Sequence, residues 1–533
     1  MSDPKKYRIP VILPENPVTV LTESAALLSA KLALAEKINL PSVTLGKTDG
    51  EPQEVTSMRA TLTNDGYLLC RDKKSLYISG KTDRGTRQGV ICFLTDYLGC
   101  RFFAKDCEVM LPDAAREIPE FLRFTYNPTF DFRCSFYKLA LADPEYDKLH
   151  KLNPIRYARG MRVHTFYDLA EMPGTREENI GVQPCLCDEN VYRTVLGNVR
   201  KWLLEEPDAT VISVSQNDSY EHQLGCHCEK CAALNARYGT EGGALFAFVN
   251  RIAREIKPEF PNVLIETLAY RYSVTPPQGM TFEDNVLVQL CVMDACYNHR
   301  IDDQTCPQNY RFAEFFENWA KVCSHLSVWD YHVDFAFYQT IFPNYSILYD
   351  HITYYAAHNV VSVFNEGNFN SFCGQFEELR SYICSELMWN PHMNREAYTA
   401  MIDEFCRCFY GDGWAYIRTF MEQTESIAKG DGKRHFSLYA SPDSILPYDA
   451  EQCDDLLALF EKALAAAQTP AQKKHVRKAS IQALYYRQYC TNSHDSAPNE
   501  RLYRLMKEAD IERITEGAPL REITDFAASV RSW

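Results

Sequence analysis

Polar and carboxylate side chains follow several short apolar segments of this sequence, at the points where those segments would end as β-strands. Residues 210–215 form a β-branched run that stops at Asn217 and Asp218, which a buried strand cannot carry without hydrogen-bonding partners. Later apolar runs end in Asp330 and in Glu366. Paired carboxyl groups can protonate a departing oxygen and stabilise or attack the carbon it leaves, which is the chemistry of glycoside hydrolysis. One such Asp alone would be as well explained as a helix cap, so the prediction depends on the recurrence.

Aromatic and amide side chains accompany these carboxylates and indicate a sugar-binding site. We predict three catalytic residues, Asp218, Glu366 and Asp330. The predicted substrate-binding residues are Asn217, Asn365, Trp329, Tyr331, Tyr270 and His299. An Asn beside an acid could orient a substrate acetamido group while the acid donates a proton. Because Asn217-Asp218 and Asn365-Glu366 fit this description equally well, the sequence leaves the identity of the acid open.

A cysteine cluster follows the first of these strand ends. It has the spacing His222-x3-Cys226-x-Cys228-x2-Cys231, and Cys185 or Cys187 could complete it. Such a set could hold a structural Zn²⁺, and Cys226, Cys228 and Cys231 are the predicted ligands. Reduced thiols or a local disulfide are the alternatives, and we expect no other cofactor.

Composition narrows the classes of function. The 533 residues are enough for two or three domains. A formal net charge of −15 disfavours a nucleic-acid partner. Because the sequence has neither a long apolar run nor a leader-like start, we expect no membrane partner, a cytoplasmic location and reduced thiols for most of the 20 cysteines. An oligosaccharide is the expected partner, and the oligomeric state is left open.

Three regions must position the site. Residues 1–120 predict a small α/β domain, with strands at 18–21, 42–45, 66–70 and 76–79, a helix at 25–37 and another ending at Leu98-Gly99. Residues 121–390 alternate strands with helices, which predicts a (β/α)8 TIM barrel with its polar groups at one rim. The eight predicted strands are 130–137, 163–166, 183–187, 210–215, 263–269, 286–292, 326–329 and 360–364. Residues 391–533 predict a helical domain, with helices at 395–409, 414–426, 450–468 and 473–490.

Several longer motifs resemble known glycoside hydrolases. The segment DRGTRQGVICFLTDYLGCRFFAKDCEVMLP resembles the end of the α/β domain that precedes the barrel in hexosaminidase-like and α-glucuronidase-like enzymes. The segments ISVSQND, CHCEKCAAL, LSVWDYH, VVSVFNEGNF and FEELRSYICSELMWNP resemble a bacterial family of unknown function. Some members of that family are assigned to glycoside hydrolase family 163, endo-β-N-acetylglucosaminidases that act on complex N-glycans. The resemblance extends over residues 60–425.

The resemblance implies an endo-acting, retaining, acetamido-assisted hydrolase of a β-linked N-acetylglucosamine glycan. Asp218 and Glu366 would be catalytic, and Asp330, Trp329 and Tyr331 would line the site. The expected absence of an export signal suits imported oligosaccharides better than large glycoproteins.

Two alternatives stay open. An α-glucuronidase-like enzyme would act by inversion and would need a basic residue for the uronate, for which Arg133, Arg271 and Arg300 are candidates. A non-catalytic carbohydrate-binding protein would keep the barrel without the chemistry.

Overall fold

A mixed five-stranded sheet forms the N-terminal part of the protein, whose computed structural model describes residues 9–35, 38, 40–220, 223–430 and 432–521. The strands of this part are β1 (Val11–Ile12), β2 (Val43–Leu45), β3 (Tyr67–Arg71), β4 (Leu76–Gly80), β5 (Cys100–Ala104), β6 (Cys107–Met110) and β7 (Leu122–Tyr126). The sheet order is β1-β2-β4-β3-β7, and β5 pairs with β6 separately. The predicted strands at 42–45, 66–70 and 76–79 are thereby confirmed.

Three helices accompany this sheet: α1 (Thr19–Leu32), α2 (Gln53–Ala60) and α3 (Asp83–Leu98). The predicted strand at 18–21 is wrong, because Leu21, Ala25, Leu28 and Leu32 are buried at helical spacing and belong to α1. The predicted end of α3 is confirmed. Gly99 ends this helix with φ +69°, and a Cβ there would lie 2.0 Å from the Leu111 carbonyl oxygen.

The central sheet has six parallel strands within the described residues. They are β8 (Phe132–Phe136), β9 (Val211–Ser213), β10 (Leu264–Ala269), β11 (Val286–Cys291), β12 (His325–Tyr331) and β13 (Val360–Glu366). Their order is β8-β13-β12-β11-β10-β9, which makes a half-barrel. The helices of this region are α4 (Lys138–Leu141), α5 (Tyr146–Leu149), α6 (Phe166–Leu169), α7 (Glu189–Glu205), α8 (Glu229–Tyr238), α9 (Gly243–Ile256), α10 (Asn309–Val322), α11 (Tyr345–Ala356) and α12 (Glu377–Trp389). The strands are apolar and largely buried, as parallel strands covered on both faces must be.

Within the residues that the structure describes, this sheet does not close into the predicted eight-stranded barrel. The predicted strands at 163–166 and 183–187 are wrong, and the gap between β8 and β9 is where they would lie. His164 has φ +56° and Phe166 already begins α6, so the first segment cannot extend as a strand. The second contains Pro184, which has no N–H to donate to a sheet. A single bridge between Tyr157 and Val211 is formed there instead.

The C-terminal part is helical, as predicted. Its helices are α13 (Arg395–Tyr410), α14 (Trp414–Lys429), α15 (Pro442–Ile445), α16 (Ala450–Ala466), α17 (Pro470–Cys490) and α18 (Ser496–Glu508). Phe405 of α13 packs against Phe103 and against Tyr382 of α12, so this part shares one apolar core with the central region. Within the described residues, no helix has both the length and the apolarity that a membrane crossing requires.

Candidate functional site

A cavity of about 290 Å³ opens at the carboxyl end of the central sheet. Parallel strands bring their C-terminal ends to one edge, so side chains that end different strands meet there. The cavity is lined by Val163, His164, Asp218, Leu268, Tyr270, Cys291, Met293, Trp329, Tyr331, Phe335, Glu366, Tyr439 and Glu516. Among the predicted site residues, the structure brings Asp218, Glu366, Trp329, Tyr331 and Tyr270 together in this cavity.

Glu366, the last residue of β13, is a buried carboxyl group with only 7% of its surface exposed. Burial raises its pKa to about 8, and the charge of Glu516 adds to this effect. The indole N–H of Trp329 donates a hydrogen bond of 2.7 Å to Oε2, which opposes the rise but does not cancel it. Glu366 therefore holds a proton at neutral pH and can deliver it inside the cavity, as a general acid must.

Asp218 lies in the loop after β9, and its side chain is 47% exposed. Its Oδ1 accepts a hydrogen bond of 2.8 Å from the backbone N–H of Ser219 and one of 3.2 Å from the Tyr270 hydroxyl. Nε2 of His164 lies 3.9 Å from the same oxygen. Glu366 and Asp218 thus have different environments, one dry and one partly solvated, which suits them to different roles.

His164 contributes a neutral imidazole that the sequence did not single out. Its Nδ1 lies 2.9 Å from the Gln216 carbonyl oxygen, which requires a proton on Nδ1 and leaves a lone pair on Nε2. Burial lowers the pKa of His164, against the opposing effect of Asp218. The left-handed backbone of this residue is a strained conformation of the kind that functional sites retain.

Glu516 and Tyr439 reach the cavity from the C-terminal part of the chain. The backbone N–H of Glu516 donates to the Phe335 carbonyl oxygen at 2.9 Å, and Asn370 Nδ2 donates to the Glu516 carbonyl oxygen at 3.0 Å. Burial raises the pKa of Glu516, and the charge of Asp218 raises it further. The cavity therefore holds a third carboxyl group. No local pattern in the sequence indicates that Glu516 reaches this site.

Aromatic rings form one wall of the cavity. The rings of Trp329 and Tyr331 stack with centroids 6.0 Å apart and an interplanar angle of 15°. Phe335 contacts Tyr331 edge-on, and Tyr439 packs against Phe335 with centroids 6.3 Å apart. Flat aromatic faces beside carboxyl groups can hold a sugar ring by its C–H face while its polar edge meets the acids.

Four predicted site residues do not line the cavity, and strand alternation explains two of them. Successive side chains of a strand point to opposite faces, so Asp330 and Asn365 lie behind the sheet when their neighbours face the cavity. Asp330 is 1% exposed, and His332 Nε2 lies 3.3 Å from its Oδ2. Burial alone would raise the pKa of Asp330, but His332 and His351 outweigh it and lower the pKa. This carboxylate is therefore engaged by buried histidine side chains away from the cavity.

Asn217 and His299 are likewise engaged elsewhere. Asn217 Oδ1 accepts the Tyr167 N–H at 2.8 Å, and its Nδ2 donates to the Val182 carbonyl oxygen at 2.9 Å. Its backbone N–H donates to Gln183 Oε1 at 3.0 Å. Asn217 thus holds together the two loops beside Asp218, while His299 belongs to a separate cluster with Cys296.

The predicted cysteine cluster converges in space. The sulfur atoms of Cys185, Cys226, Cys228 and Cys231 all lie within 4.8 Å of one another. Cys185 Sγ is 3.6 Å from Cys228 Sγ and 4.0 Å from Cys231 Sγ, close to the edges of about 3.8 Å that a tetrahedral Zn–S site with 2.3 Å bonds would have. The Cys231 N–H donates to Cys228 Sγ at 3.5 Å. The four thiols fit a zinc ion, whereas His222 lies outside the described residues.

Buried carboxyl groups also predict how stability depends on pH. Glu266 on β10 is fully buried, accepts a hydrogen bond from the Tyr157 hydroxyl, and has its pKa raised by burial to about 8. Because an unfolded glutamate titrates near about 4.3, the folded protein binds this proton more tightly. The free energy of unfolding should therefore fall as pH rises from about 4.3 to 8, by up to about 1.4 kcal/mol per pH unit for each such group.

Urea denaturation of the wild type and of Glu266→Gln at pH 5 and pH 8 measures this effect. The fall should be smaller in the variant, which has no carboxyl group to ionise. An equal fall in both proteins would show that Glu266 does not titrate abnormally.

Many solved structures are similar to this chain, including the following three. A GH115 4-O-methyl-α-glucuronidase, BtGH115A, with specificity for decorated arabinogalactans, has a TM-score of 0.50 at 12% identity, with 98% of this chain and 75% of that one covered. A GH138 enzyme targeting pectin rhamnogalacturonan II has a TM-score of 0.49 at 11% identity, with 94% and 73% covered. CpGH84B has a TM-score of 0.47 at 11% identity, with 98% and 96% covered. The first of these likenesses shows a shared fold.

A protein-family model shows to which family the chain belongs. No curated protein matches the sequence. The model described as "Domain of unknown function (DUF4838)" matches residues 103–422, which is more than half of the chain and includes the central sheet, Asp218 and Glu366. The chain belongs to the DUF4838 family.

Proposed function

We propose that the protein is a glycoside hydrolase that uses Glu366 as its general acid. The observation that carries this proposal is a buried carboxyl group, with a pKa of about 8, in the same cavity as Asp218 and a wall of aromatic rings. The fold that it shares with a GH115 enzyme is compatible with this chemistry.

The reaction that suits these groups begins with proton transfer from Glu366 to the glycosidic oxygen as the C–O bond breaks. In an N-acetylhexosaminide, the substrate's acetamido oxygen attacks C1 from the opposite face, and Asp218 accepts the acetamide N–H. Water then attacks C1 of the resulting oxazolinium ion and returns a proton to Glu366, which gives retention. Tyr270 orients Asp218 through its hydroxyl. Asn217 and Asn365 have no part in this scheme, because neither lines the cavity.

The charge of the cavity favours an N-acetylated sugar over a uronic acid. Three carboxyl groups line it, and no Lys or Arg does so among the described residues. Arg133 is buried against Asp65, Arg271 pairs with Asp294, and Arg300 pairs with Asp302. A uronate would therefore find no cationic side chain in the lining of the cavity to pair with.

Mass spectrometry of reaction products tests the proposal. The purified protein is incubated with a released complex N-glycan, the same glycan on protein, a chitooligosaccharide and an α-glucuronide. We expect cleavage within the core chitobiose, as the resemblance to family 163 implies. Release of glucuronic acid alone would favour the glucuronidase alternative. Binding without any product would favour a carbohydrate-binding protein.

We propose further that Cys185, Cys226, Cys228 and Cys231 hold a structural Zn²⁺. The ion would join the loop that contains Gln183 to the loop that follows Asp218, since both supply ligands. Replacing Cys228 by serine should therefore remove about one zinc per chain and lower the melting temperature. Elemental analysis and thermal unfolding measure these changes. Unchanged zinc content in Cys228→Ser, or a disulfide within the cluster in the wild type, would contradict the assignment.

A further inference from the structure

A second cluster of cysteine and histidine side chains lies near the first residues after β11. It consists of Cys296, His299, Cys306 and His435, whose ligand atoms all lie within 4.8 Å of one another. Cys296 Sγ is 3.2 Å from His299 Nδ1, and Cys306 Sγ is 3.5 Å from His435 Nδ1. These separations are close to the edges of about 3.3–3.8 Å that follow from Zn–N and Zn–S bonds of 2.0–2.3 Å in a tetrahedron.

We propose that these four side chains bind a structural Zn²⁺ in a Cys2His2 site. The hydrogen bonds around the cluster already favour the metal-binding form of His299 and of Cys296. Nε2 of His299 lies 2.9 Å from the Gly432 carbonyl oxygen, so it carries the proton and leaves Nδ1 free to bind the metal. The Asn298 N–H donates to Cys296 Sγ at 3.5 Å, which stabilises a thiolate.

Charge and burial agree with this ligand set. Cys296 and Cys306 are each 1% exposed, and His299 is buried as well. When zinc binds, both thiols lose their protons, and two thiolates with two neutral imidazoles give a site with no net charge. A neutral site is the kind that can be buried at least cost in desolvation. A disulfide between the two cysteines would leave the Nδ1 atoms of both imidazoles beside sulfur atoms that can neither donate a hydrogen bond nor share a metal ion with them.

The surrounding polypeptide holds the ligands in place before any metal binds. The buried side chain of Asn309 accepts the Cys296 N–H at 2.7 Å and donates to the carbonyl oxygens of Cys296 and His299, both at 2.9 Å. These hydrogen bonds from one side chain fix the loop that supplies Cys296 and His299. Such preorganisation lowers the entropy lost when an ion binds.

The site would link the loop after β11 to a segment more than a hundred residues later. The same two segments are joined by the hydrogen bond from the Tyr297 N–H to the Phe436 carbonyl oxygen, at 3.0 Å. Phe335, which lines the cavity, donates its N–H to the Leu438 carbonyl oxygen at 2.8 Å. Tyr439, the next residue, lines the cavity too. The zinc would therefore fix the position of Tyr439 at the cavity wall.

Elemental analysis of the purified full-length protein tests this proposal independently of any enzymatic activity. We expect His435→Ala and Cys306→Ser each to lose about one zinc per chain after dialysis against a competing chelator. Cys408→Ser, which removes a partly buried thiol outside both clusters, is the matched control and should keep the wild-type content. If the Cys185 cluster also binds zinc, the wild type should hold two ions. Cys228→Ser should then lose the ion of the Cys185 cluster and keep the ion of the Cys296 cluster.

Cobalt substitution of the wild-type protein covers the case in which a variant fails to fold. Co²⁺ should give the visible absorption of a tetrahedral ion, and the thiolate charge-transfer band should be weaker per ion for this site than for a four-cysteine site. Zinc content unaffected by His435→Ala and Cys306→Ser, or a disulfide between Cys296 and Cys306 found by mass spectrometry of the non-reduced protein, would overturn the proposal.

Discussion

Replacing Glu366 by glutamine should lower kcat for an oligosaccharide substrate by about 10²- to 10⁴-fold, the usual contribution of a general acid. Glutamine keeps the shape of the side chain and can still contact the Trp329 indole, but it has no proton to transfer. The loss should be much smaller for an aryl glycoside, whose leaving group departs without protonation. In the pH dependence of kcat, the wild-type rate on the oligosaccharide should fall above a pKa of about 8, and this fall should be absent with the aryl glycoside.

Glu266→Gln is the matched control for this variant. Glu266 is also buried, on β10 of the central sheet, with a pKa of about 8, but it does not line the cavity. We expect its rate on both substrates to stay close to that of the wild type. If Glu366→Gln lost activity equally on both substrates, or if Glu266→Gln lost as much, proton donation by Glu366 would be the wrong explanation.

Replacing Asp218 by asparagine should lower kcat by about 10²- to 10³-fold, as expected when a group that stabilises developing charge is lost. The asparagine can still contact the Tyr270 hydroxyl, so substrate binding, and with it KM, should change little. The reason is that the positive charge of the oxazolinium ion forms only after the substrate has bound.

Kinetics with added azide distinguish the two roles open to Asp218. If it orients an acetamido group, azide should not restore activity to Asp218→Asn. If a glycosyl azide of inverted configuration is formed, Asp218 is itself the nucleophile and the acetamido-assisted scheme is wrong. Activity within threefold of the wild type would remove Asp218 from the mechanism altogether.

Much of the site could be predicted from local sequence because strand ends are local features. Asp218, Tyr270 and Glu366 each follow or end an apolar run, and parallel strands bring such ends together. Side chains alternate between the two faces of a strand, and this alternation explains why Asp330 cannot face the cavity when Trp329 and Tyr331 do. The same alternation places Asn365 on the face opposite to Glu366, although the two residues are adjacent in the sequence.

The rest of the site depends on contacts between distant segments. Glu516 and Tyr439 lie in the C-terminal part of the chain, and no periodicity or spacing indicates that they reach the sheet. The sequence predicts a strand at His164, whereas its left-handed backbone turns its ring towards Asp218. The ligands of the Cys296 cluster span more than a hundred residues, so only the folded structure brings His435 to them.

The sequence predicts eight barrel strands, but the segments at 163–166 and 183–187 do not form strands. A short apolar segment is compatible with either a strand or a buried loop, and Pro184 disfavours a strand in the second segment.

A crystal structure of Glu366→Gln with an uncleaved chitobiose-containing oligosaccharide would test the central claim most directly. We expect the glycosidic oxygen within hydrogen-bonding distance of the glutamine side chain, the acetamido group beside Asp218, and a sugar ring against Trp329 or Tyr331. A different cleft, of about 580 Å³, contains His325 at the first residue of β12, far from these side chains along the strand. Sugar bound there, with the Glu366 cavity empty, would contradict the assignment of the active site.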